Sequence, residues 1–203
     1  MPLSVLTQGQ SFPVIEGYQV RLLSPTDMPA ICAMLAEPEV NRFLYFAPAD
    51  ESVYYGYFTP QFEQMSRAIE LGSALPQLML AIVDTDGEFA GMAALVASAT
   101  EDGSETEHGL FDVGYQLPTC SWGKGLATAA TRLLTNIAFE EMGAQRLRAD
   151  TYDDNQGSKR VLEKCGFARA GKDYGFFDDG TQDRCWFSQS RAQFERSKQV
   201  ATL

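Results

Sequence analysis

The segment Trp122-Gly123-Lys124-Gly125-Leu126-Ala127-Thr128 joins an alternating stretch of the chain to a long stretch with helical periodicity. Residues 110–117 alternate between apolar and polar side chains, which predicts a strand with one buried face. From Leu126 to Met142 the apolar residues recur at helical spacing, and Gly143 is a typical helix end. Small residues at a helix start let backbone N–H groups approach an anion, and the helix N-terminus carries roughly half a positive charge. The segment therefore predicts a phosphate or pyrophosphate site, with a purely conformational glycine turn as the alternative.

Two nucleotide-binding motifs can be compared with this segment. A P-loop needs Ser or Thr after its Gly-Lys pair, but Gly125 follows Lys124, so this motif is not matched. A dinucleotide-binding GxGxxG motif fits better, although Thr128 replaces its third glycine. Asp150, at the end of the next strand, is roughly where that motif places its ribose-binding acid. A dinucleotide-dependent oxidoreductase therefore remains a rival interpretation.

The rest of the chain predicts a mixed α/β fold. The order is one strand, helices, three strands, a helix, a strand, a helix and two strands, with residues 110–152 forming a strand–helix–strand crossover. We expect a single domain at residues 18–192, preceded by an arm at 1–17 and followed by a tail at 193–203. The predicted strands cover residues 18–23, 78–83, 88–97, 110–117, 146–152, 168–177 and 184–190, and a helix is predicted at about 60–72.

Composition limits the partners. The chain has 203 residues and a formal net charge of −11, which argues against nucleic acid and anionic membranes as partners. Its four cysteines form no CxxC pair and His108 is its single histidine, so we expect neither a metal site nor a disulfide scaffold. No signal peptide or membrane-length apolar run is present, which predicts a cytoplasmic protein. The sequence leaves its oligomeric state open between a monomer and a homodimer.

A second cluster identifies a family. Asn155-Gln156-Gly157-Ser158 is followed by a Glu-Lys-Cys-Gly-Phe run at 163–167, and the strand contains Gly114-Tyr115-Gln116-Leu117. With the glycine segment, these motifs resemble the GNAT N-acetyltransferase superfamily, and most closely its RimJ/RimL-like branch, which acetylates protein N-termini, including those of ribosomal proteins. The resemblance covers roughly residues 18–190. It implies the α/β GNAT fold, a central mixed and mostly antiparallel seven-stranded sheet flanked by helices, with acetyl-CoA as acyl donor and no metal.

The resemblance also implies cofactor-binding residues. The pantetheine arm would pair along the strand near Tyr115 and Leu117, and Asn155 would bond it from the other side. Trp122 stands where the family usually has Gln or Arg, so its indole would pack on the cofactor or wedge the loop. The pyrophosphate would rest on the backbone amides of Gly123, Lys124, Gly125, Leu126, Ala127 and Thr128.

The same resemblance suggests two catalytic residues. Leu162 occupies the position where many members carry the tyrosine that protonates the leaving thiolate, so Ser158 becomes the candidate general acid, or else only a helix cap. Asp112, on the polar face of its strand, is the candidate base, acting directly or through water, or else a structural carboxylate. His108, in an acidic stretch, is interpreted as a surface histidine.

The acceptor follows from amine chemistry. An α-amine with a pKa near 7.7–8.0 is roughly a tenth to a third neutral at pH 7.4, whereas a lysine amine is neutral about one part in a thousand. A protein N-terminus, for example that of a ribosomal protein, is therefore the expected acceptor, and the acidic stretch at 101–107 would attract it or simply be solvated. The aromatic run at 43–58 would line an acceptor pocket or form core. The alternatives are a small-molecule amine acceptor and a non-catalytic acyl-CoA sensor.

Overall fold

The computed structural model describes residues 1–99 and 106–201, and side chains at 99, 106–108, 200 and 201 are left aside. The acidic side chains of the stretch at 101–107 and the side chain of His108 therefore lie outside the described part of the chain. Within the described part, no helix combines the length and apolar character needed to cross a bilayer. The α-helices are α1 (Pro2–Thr7), α2 (Met28–Ala36), α3 (Pro38–Asn41), α4 (Glu51–Leu71), α5 (Leu126–Glu140), α6 (Gln156–Lys164) and α7 (Arg191–Ala201). The strands are β1 (Phe12–Ile15), β2 (Tyr18–Leu22), β3 (Gln77–Asp84), β4 (Phe89–Ala99), β5 (Thr106–Gln116), β6 (Arg146–Tyr152), β7 (Ala168–Phe177) and β8 (Gln182–Ser190).

These strands form one mixed sheet in the order β1-β2-β3-β4-β5-β6-β8-β7. The β5–β6 pair is parallel and every other pair is antiparallel, which confirms the predicted crossover at 110–152. The sheet has eight strands where seven were expected, because β1 adds an edge strand. A four-residue strand that contains Pro13 carries little sequence pattern, and proline is tolerated at a sheet edge.

The two predicted terminal segments fold onto the domain. Within the expected arm at 1–17, α1 buries Leu6 completely, and β1 pairs with β2. At the other end, the expected tail at 193–203 belongs largely to α7, whose Phe194 stacks on Phe139 at 4.8 Å between ring centroids. Each segment supplies one buried apolar anchor, too few for periodicity to reveal.

Helices cover both faces of the sheet. One face packs against α5 and includes Val113, Leu147 and Phe187 in its core. The other packs against α2 and α4 around Met79, Ala81 and Met92. Helix α4 begins at Glu51, nine residues before the predicted start near 60, because the later part of the aromatic run belongs to the helix and buries Tyr54 and Phe58 in this second core.

A close backbone approach in β4 makes one stability prediction. Gly91 has a φ of +145°, and a Cβ there would lie 2.7 Å from Leu117 Cγ and 2.9 Å from the Gln116 carbonyl oxygen. We expect Gly91→Ala to lower the free energy of unfolding by about 2–3 kcal/mol and Tm by roughly 5–10 °C in thermal denaturation. Gly114→Ala on the neighbouring strand is the control, because a Cβ there meets nothing within 4 Å. Equal stability of the two variants would contradict the close contact.

Candidate active site

A cleft opens where two central strands separate. Among the residues that the structure describes, strands β5 and β6 pair at three positions, the last being Asp112 with Arg148. Beyond that pair β5 stays on β4 and β6 stays on β8, so the backbones diverge. The resulting cavity of about 710 Å³ is lined by residues 113–117 of β5 and 149–152 of β6, by the starts of α5 and α6, and by residues 43–46. The sheet register therefore creates the site.

The glycine segment borders this cleft at the start of α5. Gly125 precedes the helix with a left-handed φ of +80°, and the first backbone bond of the helix runs from the Ala129 N–H to the Gly125 carbonyl at 2.9 Å. The N–H groups of residues 126–128 come before that bond and have no partner within the helix, as at any helix start. Gly123, Gly125, Leu126, Ala127 and Thr128 line the cleft. These residues fit a pyrophosphate, because free N–H groups and the positive helix end face the same opening.

The side chains of Lys124 and Trp122, in the same segment, both donate hydrogen bonds to other parts of the protein. Lys124 does not line the cleft, and its Nζ donates to Tyr18 Oη at 3.2 Å. Trp122, about half exposed, donates from Nε1 to the Leu117 carbonyl at 2.9 Å. This bond ties the loop to the end of β5, and the indole also lines the cleft, so both alternatives for Trp122 stay open.

Two hydroxyl groups meet on the α6 side of the cleft. Tyr115 Oη lies 2.9 Å from Ser158 Oγ, and burial raises the pKa of this phenol well above its usual range. Asn155 is the N-cap of α6, its Oδ1 accepting from the Ser158 N–H at 3.0 Å. Ser158 is therefore not the helix cap, and its hydroxyl is bonded to Tyr115 instead. Leu162 is buried in the core below.

Two aspartates, Asp112 and Asp150, lie on the face of the sheet opposite to the face that carries Tyr115. Asp112 accepts hydrogen bonds from Arg148 Nε at 2.8 Å and from the Ser98 hydroxyl. Asp150 lines the cleft, and no other described residue donates a hydrogen bond to its carboxylate. The cleft walls partly desolvate Asp150 and raise its pKa, while the positive charge of Arg184 opposes this. Among the described residues, no three His, Cys, Asp or Glu side chains gather as metal ligands would.

Aromatic rings form the far wall of the cleft. Tyr152 stacks on Phe177 with ring centroids 4.2 Å apart, and Phe177 stacks on the exposed Tyr45 at 5.6 Å. Phe43 meets Tyr152 edge-on at 6.1 Å. The aromatic run at 43–58 thus divides: Phe43, Tyr45 and Phe46 line the cleft, whereas its later members lie on α4.

Comparison with known proteins identifies the family. The model of the Acetyltransferase (GNAT) domain matches residues 19–168, about three quarters of the chain. The chain belongs to the GNAT acetyltransferase family. It is an N-acetyltransferase with the GNAT α/β fold, and this membership replaces the dinucleotide-dependent oxidoreductase as the interpretation of the glycine segment.

Individual relatives agree with this assignment. The Bacillus subtilis "Putative ribosomal N-acetyltransferase YdaF" is 26% identical over 191 residues, covering 91% of this chain and 97% of that protein, and is consistent with the RimJ/RimL-like branch. The B. subtilis "Probable N-acetyltransferase YjcK" is 44% identical over 59 residues, 29% of this chain and a third of that protein (33%). A solved spermidine N-acetyltransferase from Vibrio cholerae, in complex with CoA and spermine, has the same fold, with a TM-score of 0.68 at 14% identity over 89% of this chain and 99% of that one.

Proposed function

We propose that the protein transfers an acetyl group from acetyl-CoA to the α-amine at the N-terminus of a protein or peptide. The observation that carries this proposal is the meeting, in one cleft, of an anion-binding helix start, a hydroxyl pair and a carboxylate that no other described residue bonds. Acetyl transfer requires that the thioester is held, that a neutral amine attacks it, and that its sulfur leaves. The helix start suits the first task, the carboxylate the second and the hydroxyl pair the third.

The cleft would receive CoA group by group. The pyrophosphate would accept from the N–H groups at the start of α5, centred on Gly125. The pantetheine arm would pair with the edge of β5 near Tyr115 and Leu117, because that edge has no strand partner beyond Asp112. Asn155 would donate from its amide nitrogen, since its oxygen is already occupied by the Ser158 N–H.

Transfer is direct in this proposal. The neutral amine forms a bond to the acetyl carbon, the carbon–sulfur bond breaks, and Ser158 gives a proton to the departing sulfur. The amine nitrogen loses one proton to a base, so the protons balance. The base predicted from the sequence, Asp112, would have to give up bonds with Arg148 and Ser98 to serve.

The acceptor is argued from charge and protonation. The aromatic wall and Asp150 suit an amine in equilibrium with its cation, because ring faces and carboxylates both attract positive charge. An α-amine then supplies far more neutral nucleophile than a lysine side chain. The same wall suits a small polyamine, which is the second candidate acceptor.

An acceptor panel tests the proposal. We expect a peptide with a free N-terminus to give at least about tenfold higher kcat/KM than the same peptide with a blocked N-terminus and an internal lysine, since the lysine is about a hundredfold less often neutral. Released thiol and the product mass are measured, with spermidine as a third acceptor. Faster turnover of spermidine, or equal rates with the blocked peptide, would contradict the N-terminal acceptor.

A further inference from the structure

Asp150 stands at the point where the cleft begins. It lies on β6 two residues beyond Arg148, the last residue of β6 that pairs with β5. Side chains alternate along a strand, so Asp150 shares a face with Arg148 and Tyr152. Tyr152 contacts Phe43, which follows α3, so this is the face toward α2 and α4. The carboxylate therefore sits at the apex of the opening, beside the aromatic wall.

The neighbouring charges are already matched with one another. Arg148 is paired with Asp112, and Arg184 on β8 is paired with Asp173 on β7 at 2.6 Å. The charged groups acting on Asp150 are thus Arg184, Arg148 and Asp112, the first two favouring its ionised form and the third opposing it. Asp112 has three donor contacts, from Ser98 and two nitrogens of Arg148, whereas Asp150 has none from another described residue. Asp150 can receive a proton without breaking an ion pair.

The hydroxyl pair lies across the cleft. Tyr115 packs with the core on the α5 face and reaches Ser158 on α6, so the candidate acid and Asp150 occupy opposite faces of the sheet opening. A thioester held along β5 between them would expose its carbonyl carbon to an amine on the Asp150 side and its sulfur to Ser158.

We propose that Asp150, rather than Asp112, is the catalytic base of this enzyme; the inference rests on the proposed acetyl transfer to an amine. The amine nitrogen bonds to the acetyl carbon, Asp150 takes the proton that this nitrogen loses, the carbon–sulfur bond breaks, and sulfur takes the proton of Ser158. The proton on Asp150 then returns through solvent, which restores both groups. Asp112 positions Arg148 and carries no proton in the cycle.

The test is Asp150→Asn, which keeps the shape and removes the proton acceptor. We expect kcat with the free N-terminal peptide to fall about 100-fold, while the CoA affinity by calorimetry changes less than about twofold. For the wild type, a plot of log kcat/KM against pH should have a slope of one at pH values below the pKa of the amine. The slope should rise to two at pH values that are also below the pKa of Asp150. Asp150→Asn should keep slope one throughout, which a structural role would not produce.

Asp112→Asn is the matched control. It discriminates between the two candidate bases: its amide oxygen can still accept from Arg148 Nε, and if Asp150 is the base we expect the slope-two region to be retained. The proposal is overturned if Asp150→Asn keeps wild-type kcat and the slope-two region, or if Asp112→Asn shows the losses instead. A wild-type enzyme that acetylates spermidine but not peptides would contradict the N-terminal acceptor alone, and the same comparison is then made with spermidine. No transfer to any amine would overturn both proposals.

Discussion

Gly125→Asp should reduce CoA affinity at least about 1000-fold, or roughly 4 kcal/mol. The new carboxylate would stand at the start of α5, where the cleft offers free N–H groups to the pyrophosphate. Two like charges about 4 Å apart repel by about 4 kcal/mol at the effective dielectric of a protein surface, so a single repulsion accounts for the loss. Isothermal titration calorimetry with CoA measures the effect directly.

Gly125→Ala separates charge from backbone strain. Both variants place a Cβ at a φ of +80°, where the nearest atom is Ile15 Cδ1 at an ordinary 3.6 Å. Aspartate adopts left-handed backbone more readily than alanine, so Gly125→Asp should be at least as stable as Gly125→Ala in thermal denaturation. We expect Gly125→Ala to bind CoA within about tenfold of wild type. Comparable losses in the two variants would show that conformation, not charge, governs binding at this position.

The fold could be predicted where the signal is local. The periodicity of α5 and the alternation of β5 and β6 depend on residues within a few positions of one another, and all three elements were found. The eighth strand was missed because β1 contains four residues and Pro13, and its pairing with β2 is a tertiary event. The predicted helix at about 60–72 was shorter than α4 because the first half of α4 is rich in aromatic residues. Aromatic residues have a low helix propensity, which tertiary packing can override.

The candidate site likewise has one part that a local sequence pattern predicts and another that depends on tertiary structure. The helix start at Gly125 has a local signature, so it was predicted from spacing alone. The roles of Asp112 and Asp150 depend on the register of β5 against β6, which places Arg148 beside Asp112 and leaves Asp150 just beyond the last pair. No sequence pattern specifies that register. The sequence singled out Asp150 only as a possible ribose-binding acid, and the alternating polar face of β6 is the feature that could have suggested a place for it in the cleft.

Ser158→Ala tests the other end of the reaction. We expect kcat to fall about 100-fold or more, because the departing sulfur loses its positioned proton donor. CoA affinity should change less than about threefold, since Asn155 remains the N-cap and the Ser158 backbone N–H is unchanged. Steady-state kinetics with the free N-terminal peptide, beside calorimetry with CoA, separates these two effects.

Tyr115→Phe extends the same test to the hydroxyl pair. A serine hydroxyl is a weak acid, and it can release its proton more easily if a neighbour replaces it at once. Tyr115 Oη, 2.9 Å from Ser158 Oγ, is placed to do so. If the two act as one relay, Tyr115→Phe alone should lower kcat about tenfold, and adding it to Ser158→Ala should cost almost nothing further, because groups that act together are not additive. Additive losses would mean that Tyr115 only packs beside Ser158, and an unchanged kcat in Ser158→Ala would mean that water protonates the thiolate.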